Sequence, residues 1–191
     1  MKYMKTHILG ATLLGISSLA NAADYTIDTE GMHAFVNFRV QHLGLSWLYG
    51  GFKDFKGGFS YDRDAPQDAK ASVVIQAASL DTNHAERNKH LRSSDFLDVE
   101  KYPEIRFTST QYRPSGADTG TLYGNLTLHG VTKPVAIKVE KLGEGKDPWG
   151  GYRAGFLGTT EINRSDFGVD KNLGPSSEKI EITLSVEGVR Q

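Results

Sequence analysis

The chain has 191 residues, with 22 Lys and Arg against 23 Asp and Glu, and no cysteine. That length suits one domain with a sizeable core, while disulfides, thiolate metal sites and cysteine nucleophiles are excluded. A formal charge of −1 leaves no basic stripe and argues against nucleic acid as a partner.

The first element is a leader. Lys2 and Lys5 precede an apolar run from Ile8 to Leu19, and Ala20-Asn21-Ala22 supplies small residues in the A-x-A spacing. This reads as a secretory signal peptide, 1–22, cleaved after Ala22. The apolar run is about 12 residues, and a membrane span needs roughly 20. The mature chain, 23–191, loses Lys2 and Lys5 and so carries a formal charge of −3. It has no second long apolar run, hence no expected transmembrane segment, and is expected in the periplasm as a single domain.

From there the apolar period is 2 almost throughout. AFVNFRVQH puts Ala34, Val36, Phe38, Val40 and His42 on one face. KASVVIQA does the same with Ala71, Val73, Ile75 and Ala77, and EIRFTSTQY with Ile105 and Phe107. Leu122, Leu126 and Leu128 share a face in TLYGNLTLHG; Val135, Ile137 and Val139 follow in PVAIKVEKL. The last run aligns Ile180, Ile182, Leu184 and Val186. Turn signals separate the runs at Gly57-Gly58, Asp64 to Gln67, Pro114 to Gly116, Gly143 to Gly145 and Asp147 to Gly151. Eight or nine short strands predict an antiparallel sandwich or barrel. Glycines inside the runs (Gly50, Gly51, Gly57, Gly58, Gly124, Gly155, Gly158) favour a barrel, because closing a sheet requires bulges and bends. Periodicity alone leaves open whether the interior is filled or hollow.

One segment breaks the alternation. DTNHAERNKHLRSSDFLDVEKYPEI, residues 81–105, reads as a short helical insertion around 83–98. Asp81 or Thr82 is the expected cap, Glu86 suits the positive end, and Pro103 hands the chain back to a strand. His84 and His90 lie about 120° apart on a helix, so they do not form a shared metal face. No G-x-S-x-G elbow or phosphate-binding glycine loop occurs. The segment therefore reads as a lid with paired charges, with no catalytic residue and no metal or other cofactor expected. His42, ending a strand on its apolar face, is the histidine best placed for a ligand. Trp47 and Trp149 fall at loop positions, suited to a barrel mouth or to ordinary packing.

Four blocks then carry a family likeness: AFVNFRVQHLGLSWLYGGFKDFKGGFSYD, SLDTNHAERNKHLRSSDFLDVEKYPEIRFTST, GNLTLHGVTKPVAIKVE and DPWGGYRAGFLGTTEINRSDFGVD. They resemble the YceI family, nearest its enterobacterial periplasmic members, in order along the whole mature chain. The resemblance implies an all-β, antiparallel, eight-stranded lipocalin-like barrel whose tunnel holds a polyisoprenoid or prenylquinone-like lipid, and a carrier rather than an enzyme. On that expectation Phe38, Val40, Val73, Ile75, Phe107, Leu126, Leu128, Ile137, Ile182 and Leu184 line the tunnel. His42, Asn83, His84 and Arg87 are the candidate head-group contacts. Phe35 is a candidate contact for a homodimer. Three readings compete: a hydrolase or isomerase using a His–carboxylate pair near residues 84–95, a solid barrel acting as a stress or interaction protein without ligand, and a haem-binding helper using His42.

Overall fold

The structure, a computed structural model, describes residues 22–191. The leader, apart from Ala22, lies outside the described residues. Eleven strands and one helix follow in the order β1 (Ala23–Ile27), β2 (Phe35–His42), β3 (Ser46–Phe52), β4 (Phe55–Tyr61), β5 (Lys70–Gln76), β6 (Leu80–Asp81), α1 (Ala85–Arg92), β7 (Glu104–Pro114), β8 (Thr119–Leu128), β9 (Val131–Lys146), β10 (Tyr152–Asn163) and β11 (Lys179–Arg190).

Antiparallel pairing closes a ring of eight, β1-β4-β5-β7-β8-β9-β10-β11 and back to β1. One edge of β11 is shared: Gly188 to Arg190 pair with β1, and Ile180 to Ser185 pair with β2. β1 and β2 are thus two halves of one wall strand, broken where Asp28 to Ala34 turn. β3 and β4 are likewise interrupted at Lys53-Asp54. Closure needs local bends, and the ladders show them: a register shift at Gly155/Phe156 between β10 and β9, and another at Ser109/Gln111 in β7.

Two local expectations are corrected. Gly57-Gly58, which read both as a turn signal and as glycines within a run, lie inside β4 and form no turn. There Gly57 faces the Ser72 carbonyl and Val73, while Gly58 faces the Tyr25 carbonyl, so the missing side chains permit close approach of neighbouring strands. The cap of α1 is His84, whose Nδ1 accepts the Arg87 N–H at 3.2 Å, and not Asp81 or Thr82. Asn83 adopts a left-handed φ of 60° and adds one more turn before the helix begins. Asp81 instead accepts from the Asn83 N–H and the Asn88 side chain, both at 2.9 Å. After Arg92 the insertion continues as turns, not as further helix, and Phe96 is buried among them.

The interior has three layers. At one end Tyr25, Tyr61 and Ala154 pack with Phe59 and Phe156; Tyr25 stacks on Phe59 at 4.8 Å, and Phe156 meets the edges of Phe59 and Tyr61. Ile27, Ala34, Val36 and Phe55 form the middle. Ala77, Ile105, Leu128, Ile162 and Phe167 close the other end, beside Leu97 and Val99 of the insertion.

Candidate functional site

All ten residues expected to line a tunnel occupy strand positions turned toward the barrel interior, as the alternation of their strands and the cross-strand pairs Phe38–Ile182, Val73–Phe107 and Phe107–Leu126 require. Leu128 and Ile137 are buried at 7% and 6% exposure. The other eight are only half-buried although they face inward. A filled core would bury them as fully as Ile105, at 6%, so they border open space.

The wall keeps that space clear by a repeated device. The Phe107 ring lies over Gly124 of the next strand; Phe38 lies over Gly50, and Phe59 over Gly188. A Cβ at Gly124 would sit 2.5 Å from two Phe107 ring carbons, and one at Gly188 would sit 2.5 Å from the Phe59 ring. Each glycine is a socket that lets a ring lie along the wall.

The wall is also open at one place. The β9–β10 ladder ends at Lys138–Thr159, although β9 begins at Val131 and β10 continues to Asn163. Across the gap the Thr160 hydroxyl donates to the Ala136 carbonyl at 2.9 Å. A cavity of about 910 Å³ opens there, bordered by inward positions (Lys133, Val135, Ile162, Ile182) and by outward ones such as Ala136 and Glu161. Phe167, 2% exposed, also borders it and packs with Ile162, Val131 and Val135. Its turn is held by buried Arg164, which donates to the Ser177 carbonyl at 3.1 Å and the Val169 carbonyl at 2.5 Å. The His129 ring lies 3.2 Å from the Phe167 carbonyl. Sequence reading missed Phe167 because a four-residue turn has no period; its only signal is the short apolar stretch Phe167-Gly168-Val169 between Asp166 and Asp170.

The four head-group candidates are not brought together as a set. Asn83, His84 and Arg87 share the start of α1, and Asn83 borders a second cavity of about 500 Å³ with Phe38. Arg87 is engaged by the Thr82 hydroxyl at 2.8 Å and the Thr82 carbonyl at 2.6 Å. His42 is exposed at the end of β2, in a different hairpin. Arg92 was not anticipated. Its Nη2 donates to the Leu80 carbonyl at 2.5 Å, while its buried Nε has no acceptor among the described residues.

Two charge clusters bear on other chemistry. Asp28, His33 and Glu187 converge closely enough for a metal ion. Arg153 already supplies the cation there, donating to Asp28 at 2.5 Å, Glu187 at 2.6 Å and Asp147 at 2.9 Å. Arg153, His33 and the Gly31 N–H hold the Asp28 carboxyl well below the usual carboxylate range. His90 does meet a carboxylate, Asp95, at 3.0 Å, but both are half exposed and Lys171 sits on the same oxygen at 2.8 Å. Lys171, then His90, lowers the Asp95 pKa, as an exposed ion pair would. Trp47 lies in β3, with the Arg39 guanidinium 4.3 Å above its ring, and Trp149 is an exposed loop residue. Phe35 is exposed at 47% on the outer wall.

Comparison with known proteins places this geometry. The model of the YceI-like domain matches residues 25–188. A UPF0312 protein of Azotobacter vinelandii is 57% identical over 183 residues, 96% of this chain and 95% of that protein. The crystal structure of the Campylobacter jejuni YCEI protein matches with a TM-score of 0.72 at 30% identity, over 80% of this chain and 90% of that one. A polyisoprenoid binding domain from Saccharophagus degradans, implicated in plant cell wall breakdown, shares the fold with a TM-score of 0.64 at 18% identity, over 89% and 99%.

Proposed function

The chain belongs to the YceI-like domain family, and from that premise we propose that it binds one long polyisoprenoid or prenylquinone-like amphiphile inside its barrel and carries or sequesters it in the periplasm. The observation that carries this reading is the inward wall of half-buried apolar side chains, from Phe38 and Val73 to Leu184. Such a wall removes apolar surface from water at about 25 cal/mol per Å² and demands little of the chain's detailed chemistry. The polyisoprenoid binding neighbour supports the ligand class, and the leader supports export.

Native mass spectrometry of protein taken from its own host, followed by organic extraction, tests the reading. A stoichiometric adduct with a polyprenyl fragmentation ladder is expected. An apo mass that persists after incubation with prenylquinones would refute it. The variant Val73→Phe/Ile75→Phe should keep the fold and lose the adduct; undiminished binding would remove these residues from the lining.

A further inference from the structure

The geometry points to the β2–β3 hairpin tip as a lipid-bilayer docking surface, an inference that rests on the proposed lipid-binding barrel. Leu43 is 63% exposed and Leu45 84%. The tip projects past the last β11 pairs, Ile180–Val40 and Glu181–Arg39, and Gly44 sits beside Ser176. Leu173, also exposed, is three residues from that contact. The inward pair Val40–Leu48, half-buried, joins the tip to Phe38 and Phe52, so apolar surface runs from the exposed leucines into the barrel.

The turn itself argues that Leu43 is not there for the fold. The Leu45 N–H bonds the His42 carbonyl at 2.9 Å, and both central residues have positive φ, 54° at Leu43 and 73° at Gly44. That pattern favours Asn-Gly or Asp-Gly, and leucine adopts it reluctantly. The β8–β9 hairpin provides the contrast. His129 and Gly130 have the same signs of φ, at 50° and 74°, but His129 is anchored by the Phe167 carbonyl and the Tyr102 ring at 4.6 Å. Leu43, by comparison, is left mostly in water.

The occupant follows from size and charge. A stable protein partner needs roughly 800 Å² per side, more than two or three leucine side chains supply. A bilayer needs only apolar groups that reach below its head groups, and such binding is weak enough to reverse. Beside the tip, Arg39 is ion-paired with Glu181 across the strands at 2.6 Å, so the local charge is balanced and apolar burial supplies the attraction.

The test is flotation of the full mature chain with vesicles of phosphatidylcholine, alone and with added phosphatidylglycerol, comparing wild type with Leu43→Asn/Leu45→Ser. Asn is at home at positive φ, so the variant should melt no lower than wild type while vesicle partitioning falls about a hundredfold. Wild type that stays in the aqueous phase with both vesicles overturns the inference, and so does equal flotation of the two proteins. A concentration-dependent dimer lost in the variant would place a second copy on the tip and overturn it as well. Loading of a prenyl alcohol delivered in detergent, read by native mass, separates the two claims. The variant should load like wild type, and a wild type that floats but never loads would refute the barrel reading alone.

Discussion

The sharpest prediction concerns Gly124. A Cβ there would stand 2.5 Å from Cε2 and Cζ of Phe107 and 2.6 Å from the Thr108 carbonyl oxygen. Ordinary carbon contacts lie near 3.5–4.0 Å, so in Gly124→Ala the ring must retreat by about 1 Å. The wall blocks it on one side, so it swings into the lumen. Overpacking of this kind costs about 1–3 kcal/mol, offset by the 0.5–1 kcal/mol or so that Gly→Ala returns in chain entropy. The net loss of about 1–2 kcal/mol lowers Tm by roughly 2–8 °C, followed by circular dichroism, and prenyl uptake falls with it. Adding Phe107→Leu removes the colliding ring atoms. The Thr108 carbonyl contact remains, so the double variant should recover uptake and part of the stability, with a coupling of at least about 1 kcal/mol. If Gly124→Ala raised Tm, as a bare gain in strand propensity would, or if the two changes proved additive, the socket argument would fail.

Two further outcomes follow from the charge networks. Asp28 is held below the usual carboxylate range by Arg153, then His33, then the Gly31 N–H, so its contribution is complete above the unfolded-state pKa near 4 and is lost as pH falls below that value. Asp28→Asn should cost about 2 kcal/mol near neutrality and should flatten the fall of Tm between pH 5 and pH 2; an unchanged acid slope would refute the assignment. Arg164→Met leaves the Ser177 and Val169 carbonyls without their donor, so it should lower Tm by about 10 °C and speed hydrogen exchange first in residues 164–178. Arg164→Lys should not rescue it, because one ammonium does not reproduce the fork; full rescue would show that charge alone suffices.

The strands were legible because one face of each is apolar, and period 2 survives even where the buried face borders a void. What the sequence concealed was the use made of small and turn residues. Gly57-Gly58 reads equally as a turn and as part of a strand, since nothing in a one-dimensional pattern distinguishes a glycine that bends the chain from one that admits a neighbouring strand. The helix cap moved to His84 because Asn83 takes a left-handed turn, a choice made by the Asp81–Asn88 hydrogen bonds rather than by local preference. The inward set from Phe38 to Leu184 was predictable by alternation. The opening between β9 and β10 was not, because both runs continue past the point where their ladder ends.

A barrel with an open interior and no cysteine must find its stability in the wall. The structure puts it there. Arg153 ties together Asp28 at the β1–β2 break, Asp147 in the β9–β10 turn and Glu187 on β11, three segments distant in sequence. Arg164 fixes the turn that carries Phe167 beside the open seam. These anchors lie in the wall and its turns, while the inward residues of β2, β5 and β11 touch space on one side. A half-buried side chain has fewer partners to lose, so its replacement costs less than the 2–5 kcal/mol of a sealed core position. Under the proposed function, lining residues would be free to change with the ligand without endangering the fold, which is the physical condition for one barrel to accept different apolar ligands.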